Sequence, residues 1–340
     1  MESRWEKYIT LFANHASSHT ARGDLQSHGA QIRTIGSLGY HSQKKGRESM
    51  KFHPRLLSSI ALLLILSSTA SLCAPVSKTV GPIAILGALP SEIRMLSGSI
   101  HGRSLMVADG VQVYRGYLEG RPVVLAMCGE GKVNAAMVTT VLKDFFHPSM
   151  LIFTGIAGGV NPRLHPGDIV IGAKTFQHDF GYLTNAGLRI DPTKNPFTGA
   201  NNPFYFQASP VLLRAAQRAM HLVHLKPIEA GGVARTPVIQ VGVIATGDQF
   251  IASSNKVAQL RSKFHADAVE MEGAAVAQVC HAQNIPCLVI RSLSDSANET
   301  AKRDIVRFYQ IAANNSATLV KAILRSLSAK ASSSATGSAL

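Results

Sequence analysis

Ile83-Ala-Ile-Leu-Gly-Ala-Leu-Pro-Ser-Glu92 opens as an unbroken apolar run, breaks at Gly87, and ends on a carboxylate at the start of a helical stretch. Such a run is the pattern of a strand buried on both faces. The alternation it begins continues down the chain. Further strand-like runs are Val111–Leu118, Val123–Met127, Leu151–Thr154, Ile169–Ile171, Val241–Ala245, Ala268–Val269 and Leu288–Ile290. Helical patterns lie between them over Lys132–Phe145, Pro210–His221, Ser253–Phe264, Met271–Gln283 and Ala301–Leu327. In the last of these, Ile305, Phe308, Ala312, Leu319 and Ile323 form an apolar stripe at helical spacing. Strands alternating with helices predict an α/β layer structure. The adjacent runs 111–118 and 123–127, joined around Glu119-Gly-Arg-Pro122, predict an antiparallel hairpin, so the sheet is expected to be mixed.

No linker, charge block or repeat divides residues 81–327, which read as one domain. Its least regular part is Asp179–Ser209, where Pro192, Pro196 and Pro203 stand beside Phe197, Phe204, Tyr205 and Phe206. A loop of this length in a compact domain is usually functional or mobile.

Composition bounds the remaining possibilities. With 340 residues, 46% hydrophobic and 16% charged, the chain has the material for a sizeable core and is not wholly disordered. Its four cysteines, at 73, 128, 280 and 287, form neither a disulfide-dense scaffold nor a metal-binding Cys-x-x-Cys pair. Cys280 and Cys287 are close enough in sequence to pair in an oxidising compartment, or to stay as buried thiols. The formal charge of +14 suggests a nucleic-acid partner at first sight. Yet residues 1–55 carry +5 of it, and the +8 between Pro75 and Ser328 is scattered singly. No basic run flanked by stacking aromatics is present, so nucleic-acid binding is not expected.

The N-terminal part reads differently from the rest. Residues 1–49 are polar, lack any sustained period, and are expected to be disordered or an upstream extension. From Met50 come a short basic stretch, an apolar core over 56–66 and a small-residue end at 67–74, the three parts of a secretory signal. The apolar stretch is too short for a comfortable membrane span. A start at Met50 and cleavage after Cys73 or Ala74 are expected, giving an exported protein, periplasmic or secreted, with no stable membrane span. If residues 56–72 are instead a buried helix, the protein is cytoplasmic. Residues 328–340, rich in Ser and Ala, are expected to be a disordered tail.

Chemically capable residues gather at strand ends. Glu92 follows the first strand; Gly129-Glu-Gly-Lys-Val-Asn-Ala-Ala136 and Thr154-Gly-Ile-Ala-Gly-Gly159 read as glycine-rich turns after strands. Val269-Glu-Met-Glu-Gly273 passes from strand to helix with two acids, and Arg291-Ser-Leu-Ser-Asp295 ends another strand with one. Ligands of open α/β sheets sit beyond the carboxyl ends of the strands, where these groups can converge. Neither glycine segment is a dinucleotide or phosphate-loop pattern.

Taken in this order, these segments resemble the nucleoside phosphorylase/hydrolase superfamily, and within it the 5′-methylthioadenosine/S-adenosylhomocysteine nucleosidases. The resemblance runs from about Gly81 to Leu327. It is carried by Gly87-Ala-Leu-Pro-Ser-Glu92, Gly131-Lys-Val-Asn-Ala-Ala136, Thr154-Gly-Ile-Ala-Gly-Gly159 with Gly167-Asp-Ile-Val170, Thr246-Gly-Asp-Gln-Phe250, Val269-Glu-Met-Glu272 and Ser294-Asp295. It implies a three-layer α/β/α domain around a twisted mixed sheet, usually dimeric, that hydrolyses the N-glycosidic bond of adenine nucleosides. Position by position, Glu92 matches the carboxylate that activates water, and Asp295 the acid that protonates purine N7. Glu272 matches the ribose-hydroxyl binder, with Glu270 and Met271 beside it along the sugar. Phe250 matches the aromatic that stacks on the base, the backbone of Ile251 the reader of the adenine edge, and Arg291 an arginine near the ribose-binding acid. The resemblance implies no cofactor, the sequence offers no metal site, and Cys280 is expected to be a buried thiol.

Three departures bear on the substrate. Ile156 stands where many nucleosidases have Ser, which removes a hydrogen bond to the leaving-group acid. Glu130 takes a position that is usually apolar and near the 5′-substituent, and Asp179–Ser209 aligns poorly. Two other readings stay open: a purine nucleoside phosphorylase using phosphate, against which the 87–92 loop lacks an arginine, and a non-catalytic nucleoside-binding or storage relative.

Overall fold

The computed structural model describes residues 81–230 and 233–328. The expected extension 1–49, the signal segment 50–74 and the tail beyond Ser328 lie outside these residues. Strand β1 (Ile83–Gly87) lies between two parallel neighbours, β4 (Arg121–Met127) and β5 (Met150–Gly159). Its side chains alternate between two buried layers. Ile83 and Ile85 enter a cluster with Leu96, Leu212 and Ile323, whereas Ala84 and Leu86 meet Val138, Leu142 and Val276. The first cluster is covered by helices α1 (Pro90–Gly98), α3 (Pro210–Met220) and α6 (Ala301–Ser328). The second is covered by α2 (Lys132–Phe146) and α5 (Gly273–Ala282). These are the expected layers. On α6, Leu319, Val320, Ile323 and Leu324 are fully buried, each worth ~1.5–3 kcal/mol relative to exposure.

The sheet is mixed, as the hairpin implied. β3 (Val111–Leu118) runs antiparallel to β4 through Glu119 and Gly120, whose φ values of 51° and 73° are those of the two-residue turn that matches strand twist. β2 (His101–Ala108) adds an antiparallel edge next to β3. It lacked a sequence signature because almost all its side chains are exposed, so no apolar period marks it.

On the other side, β5 pairs in parallel with β14 (Cys287–Asp295), which runs antiparallel to β6 (Ile169–Gln177). β12 (Ile239–Thr246) is parallel to β6 and to β13 (Ala268–Glu270). β13 then pairs antiparallel with Gly158 and Gly159 of β5. The five strands β5, β14, β6, β12 and β13 thus close into a ring. The last helix, α4 (Ser254–Phe264), packs Leu260 into a smaller cluster with Phe176, Ala245 and Val269.

Two expectations are corrected. Thr154–Gly159, read as a turn, is the second half of the ten-residue strand β5. Asp179–Ser209, read as irregular, contains the hairpin β7 (Gly181–Thr184) and β8 (Gly187–Ile190), and β9 (Phe206–Gln207) pairs with β6. A separate small hairpin joins β10 (Ile228–Ala230) to β11 (Val233–Arg235). Among the described residues, no helix is long and apolar enough to cross a membrane.

Candidate active site

Glu92 sits in the first turn of α1, and its carboxylate is almost wholly enclosed by backbone donors. Oε2 accepts from the Ala88 N–H at 2.6 Å and the Leu89 N–H at 2.9 Å, while Oε1 accepts from the Ile156 N–H at 2.8 Å. The bond to Leu89 is the reach-back of a helix N-terminal acid to the residue that caps the helix. Burial raises the Glu92 pKa, and Arg291 and the three N–H groups oppose that rise. Ile156, where a serine was noted as missing, contributes here through its backbone.

Arg291 is the largest fully buried side chain. Its guanidinium lies 4.1 Å over the Phe153 ring, and Nε and Nη2 donate to Glu270 Oε2 at 3.1 and 2.5 Å. Nη2 also reaches Glu272 Oε2 at 3.4 Å. Nη1 has no hydrogen-bond partner among the described residues. It points at the backbone of β5: a Cβ added at Gly155 would fall 2.1 Å from Nη1 and 2.4 Å from Glu92 Oε1. The glycine is there because two side chains press on the strand.

Glu270 and Glu272 flank the β13–α5 junction and play different structural parts. Both oxygens of Glu270 are taken by protein donors: Arg291, the Thr246 hydroxyl, and the N–H groups of Glu272 and Gly273. Glu272 keeps more capacity, accepting from the Gly131 N–H at 2.8 Å through Oε1. Burial, then the adjacent Glu270 carboxylate, push its pKa up to about 8. Cys128 lies nearby, and burial followed by the Glu272 and Glu92 charges keeps its thiol protonated.

Asp295 ends β14 in a separate environment. A bulge between Leu293 and Asp295 brings it opposite Gly158, a device that re-aims a side chain at a strand end. Its Oδ2 accepts from the Ser294 hydroxyl and its Oδ1 from the Ala297 N–H, both at 2.7 Å. Burial raises its pKa to about 6 against those two bonds. A Cβ at Gly158 would lie 3.0 Å from Oδ1. Gly155 and Gly158, three residues apart on β5, each lie against one of the two carboxylates.

The other expected site residues are less enclosed. Phe250 is 45% exposed in the loop after β12; Ile251 and Met271 are half-buried. The Glu130 side chain is exposed, and its carbonyl accepts from Asn134 Nδ2. Cys280 and Cys287 are buried free thiols, with no disulfide between them. No group of three or more metal-ligating side chains occurs among the described residues. Sequence reading assigned nothing to Lys132, Asp179 or Asp248, which link the turn beside Glu272 to the loop that carries Phe250. Two of the three lie inside motifs already noted, but nothing in their spacing announces that they meet.

A buried carboxylate held by N–H groups, an arginine and a second carboxyl with a raised pKa gather at the carboxyl ends of the strands of an α/β fold, groups of the kind that general acid–base chemistry uses. Residues 82–325 match the phosphorylase superfamily, and the chain belongs to that family. It is 36% identical over 250 residues to the 5′-methylthioadenosine/S-adenosylhomocysteine nucleosidase of Mycobacterium bovis, covering 73% of this chain and 98% of the relative. The nucleosidase of Tolumonas auensis is 36% identical over 253 residues, covering 72% and 99%. Among solved structures, the Neisseria meningitidis nucleosidase in complex with methylthio-immucillin-A superimposes with a TM-score of 0.61 at 36% identity, covering 72% of this chain and 98% of that one. The futalosine hydrolase of Helicobacter pylori gives a TM-score of 0.60 at 30% identity, covering 72% and 97%.

Proposed function

We propose that this protein is a nucleoside N-glycosidase that hydrolyses adenine nucleosides of the 5′-methylthioadenosine/S-adenosylhomocysteine type. The observation that carries the reading is the pair of buried carboxylates, Glu92 and Asp295, held at separate points beside β5 by different partners: three backbone N–H groups for Glu92, the Ser294 hydroxyl and the Ala297 N–H for Asp295. The three N–H donors and the nearby Arg291 favour the charged, proton-accepting form of Glu92.

In the proposed reaction a water sits between Glu92 and the unpartnered Nη1 of Arg291. It attacks the anomeric carbon as the bond to N9 breaks. Positive charge grows on the sugar ring and is stabilised by the Glu92 carboxylate, which takes the water proton. Asp295, whose raised pKa leaves part of it protonated near neutrality, gives its proton to N7, so adenine departs neutral. Glu272 accepts from the ribose hydroxyls, with Met271 and Glu270 beside the sugar. Phe250 stacks on the base, and the Ile251 backbone reads its edge. Two carboxyl groups dividing acid and base work are the usual solution to glycoside hydrolysis.

The 5′-substituent is set by the region of Glu130 and the Asp179–Ser209 segment. A panel of adenosine, 5′-methylthioadenosine, S-adenosylhomocysteine and futalosine, assayed for released base with and without phosphate, tests the function and ranks the substrates. Base release that requires phosphate would turn the reading to a phosphorylase, and binding without release would turn it to a nucleoside-binding relative.

We further propose a homodimer, supported by Val133 and Met137, which are 76% and 59% exposed on α2 directly after the Gly131 turn. Export with cleavage after Cys73 or Ala74 remains our reading of residues 50–74, and N-terminal sequencing of the mature protein tests it.

A further inference from the structure

Three charged residues from three separate segments form a closed ring beside the site. The Lys132 ammonium lies 2.6 Å from Asp179 Oδ1 and 3.8 Å from Asp248 Oδ2, and donates to Gln177 Oε1 at 3.1 Å. The Lys132 backbone N–H donates to Asp248 Oδ1 at 2.7 Å, and the Asp248 N–H donates to Asp179 Oδ2 at 2.7 Å. Each residue therefore holds the other two. The Lys132 and Asp179 side chains are only 16% and 15% exposed, so solvent and salt weaken their attraction less than at an open surface.

The ring is joined to the site at both ends. Gly131, next to Lys132, donates its N–H to Glu272 Oε1. Asp248 lies two residues before Phe250 in the loop after β12. The segments are pressed together as well as bonded: a Cβ at Gly131 would fall 3.2 Å from Asp248 Oδ1, and one at Gly247 would fall 2.5 Å from the buried His178 ring. Asp179 sits at the centre, because it alone bonds both the Lys132 ammonium and the Asp248 backbone. Without it, Lys132 loses its nearest counter-charge and the Asp248 N–H loses its acceptor.

We infer that Asp179 is a positioning residue that sets the grip on the ribose: through Lys132 and Asp248 it holds the Gly131 N–H against Glu272. The inference rests on the reading of Glu272 as the acceptor for the ribose hydroxyls. It requires no contact between Asp179 and the substrate.

The test compares Asp179→Ala and Asp179→Glu with the unaltered full chain. The probes are an adenine C-nucleoside, whose carbon–carbon link cannot be hydrolysed, and its 2′-deoxy and 3′-deoxy forms, with binding measured by calorimetry. Asp179→Ala should weaken the full-ribose ligand by about tenfold, the scale of a charge-assisted hydrogen bond set out of place. It should weaken at least one deoxy ligand by less than about threefold, since that ligand no longer needs Glu272 held in position. Asp179→Glu should recover part of the loss. If Asp179→Ala does not fold, Asp248→Asn, which keeps the size but removes a charge from the ring, should show the same selective weakening. Equal weakening of all three ligands, or none, would overturn the inference. Turnover of 5′-methylthioadenosine is measured in parallel. If the unaltered protein binds but releases no adenine, the proposed hydrolysis fails while the binding comparison still decides the role of Asp179. If it binds none of the ligands, both readings fall.

Discussion

Gly155 and Arg291 are register partners on β5 and β14, and they approach so closely that a methyl group on Gly155 would lie 2.1 Å from Arg291 Nη1. The bare backbone of Gly155 is the wall against which the guanidinium and the Glu92 carboxylate are held. Gly155→Ala should therefore displace both groups. Overpacking of this kind destabilises by ~1–3 kcal/mol, so the variant should still fold, with a lowered melting temperature. Its turnover should fall at least ~100-fold, because misplacement by an ångström has effects of that order. Unchanged turnover would show that Nη1 and Glu92 tolerate movement.

Glu92 and Asp295 should fail in different ways. Asp295→Asn keeps a donor but cannot transfer a proton, and should lower turnover by ~10²–10⁴-fold while nucleoside still binds. Glu92→Gln should lower turnover to a comparable degree. Substrates with better leaving bases need less protonation at N7, so they should partly restore Asp295→Asn and not Glu92→Gln. Equal restoration of both, measured as single-turnover rates, would reverse or void the assignment.

Stability should depend on pH with a definite sign. Asp295 and Glu272 have folded-state pKa values of about 6 and about 8, above the ordinary carboxyl range. The folded chain therefore holds protons that the unfolded chain has released. Their contribution is fully present below the unfolded carboxyl pKa and is lost as pH rises through about 6 for Asp295 and about 8 for Glu272. Thermal melts from pH 4.5 to 8.5 should show a decline that flattens in Asp295→Asn and Glu272→Gln. The same proton on Asp295 predicts an alkaline limb in turnover near pH 6, absent from Asp295→Asn.

The exposed apolar residues of α2 give the oligomer a direct test. Val133→Asp with Met137→Asp leaves the buried face of that helix, Ala135, Val138 and Leu142, untouched. Sedimentation should show the altered chain as a monomer where the unaltered chain is a dimer. A monomer in both cases would dispose of the proposal.

The strands that carry the site were legible because burial on both faces makes them near-continuous apolar runs, as in Ile83–Leu86 and Leu288–Ile290. β2 was not, since its exposed side chains have no reason to alternate, although Asp109-Gly110 supplies a two-residue turn before β3. The glycines of Thr154–Gly159 misled for a physical reason. Glycine usually marks a bend, but here it makes room within a strand for side chains from α1 and β14. Glu92, Glu270, Glu272, Arg291 and Asp295 stood out as charges at strand ends, and the structure gathers the three glutamates around the Arg291 guanidinium. Lys132, Asp179 and Asp248 did not, because their meeting depends on how three loops fold over one another.

The closed ring of β5, β14, β6, β12 and β13 has a consequence for how such a protein can change over generations. Each of these strands is pinned by neighbours on both sides, so none can slide by a residue without breaking a ladder elsewhere. The groups proposed to act on the glycosidic bond ride on these strands and on the helix start beside them. Insertions and deletions are tolerated far better in the segments outside the ring. The β7–β8 hairpin, residues 181–190, with Tyr182 and Leu183 open to solvent, is the place where length and shape are free to drift. A protein built this way can acquire a taste for a new 5′ group while its bond-breaking apparatus stays in register.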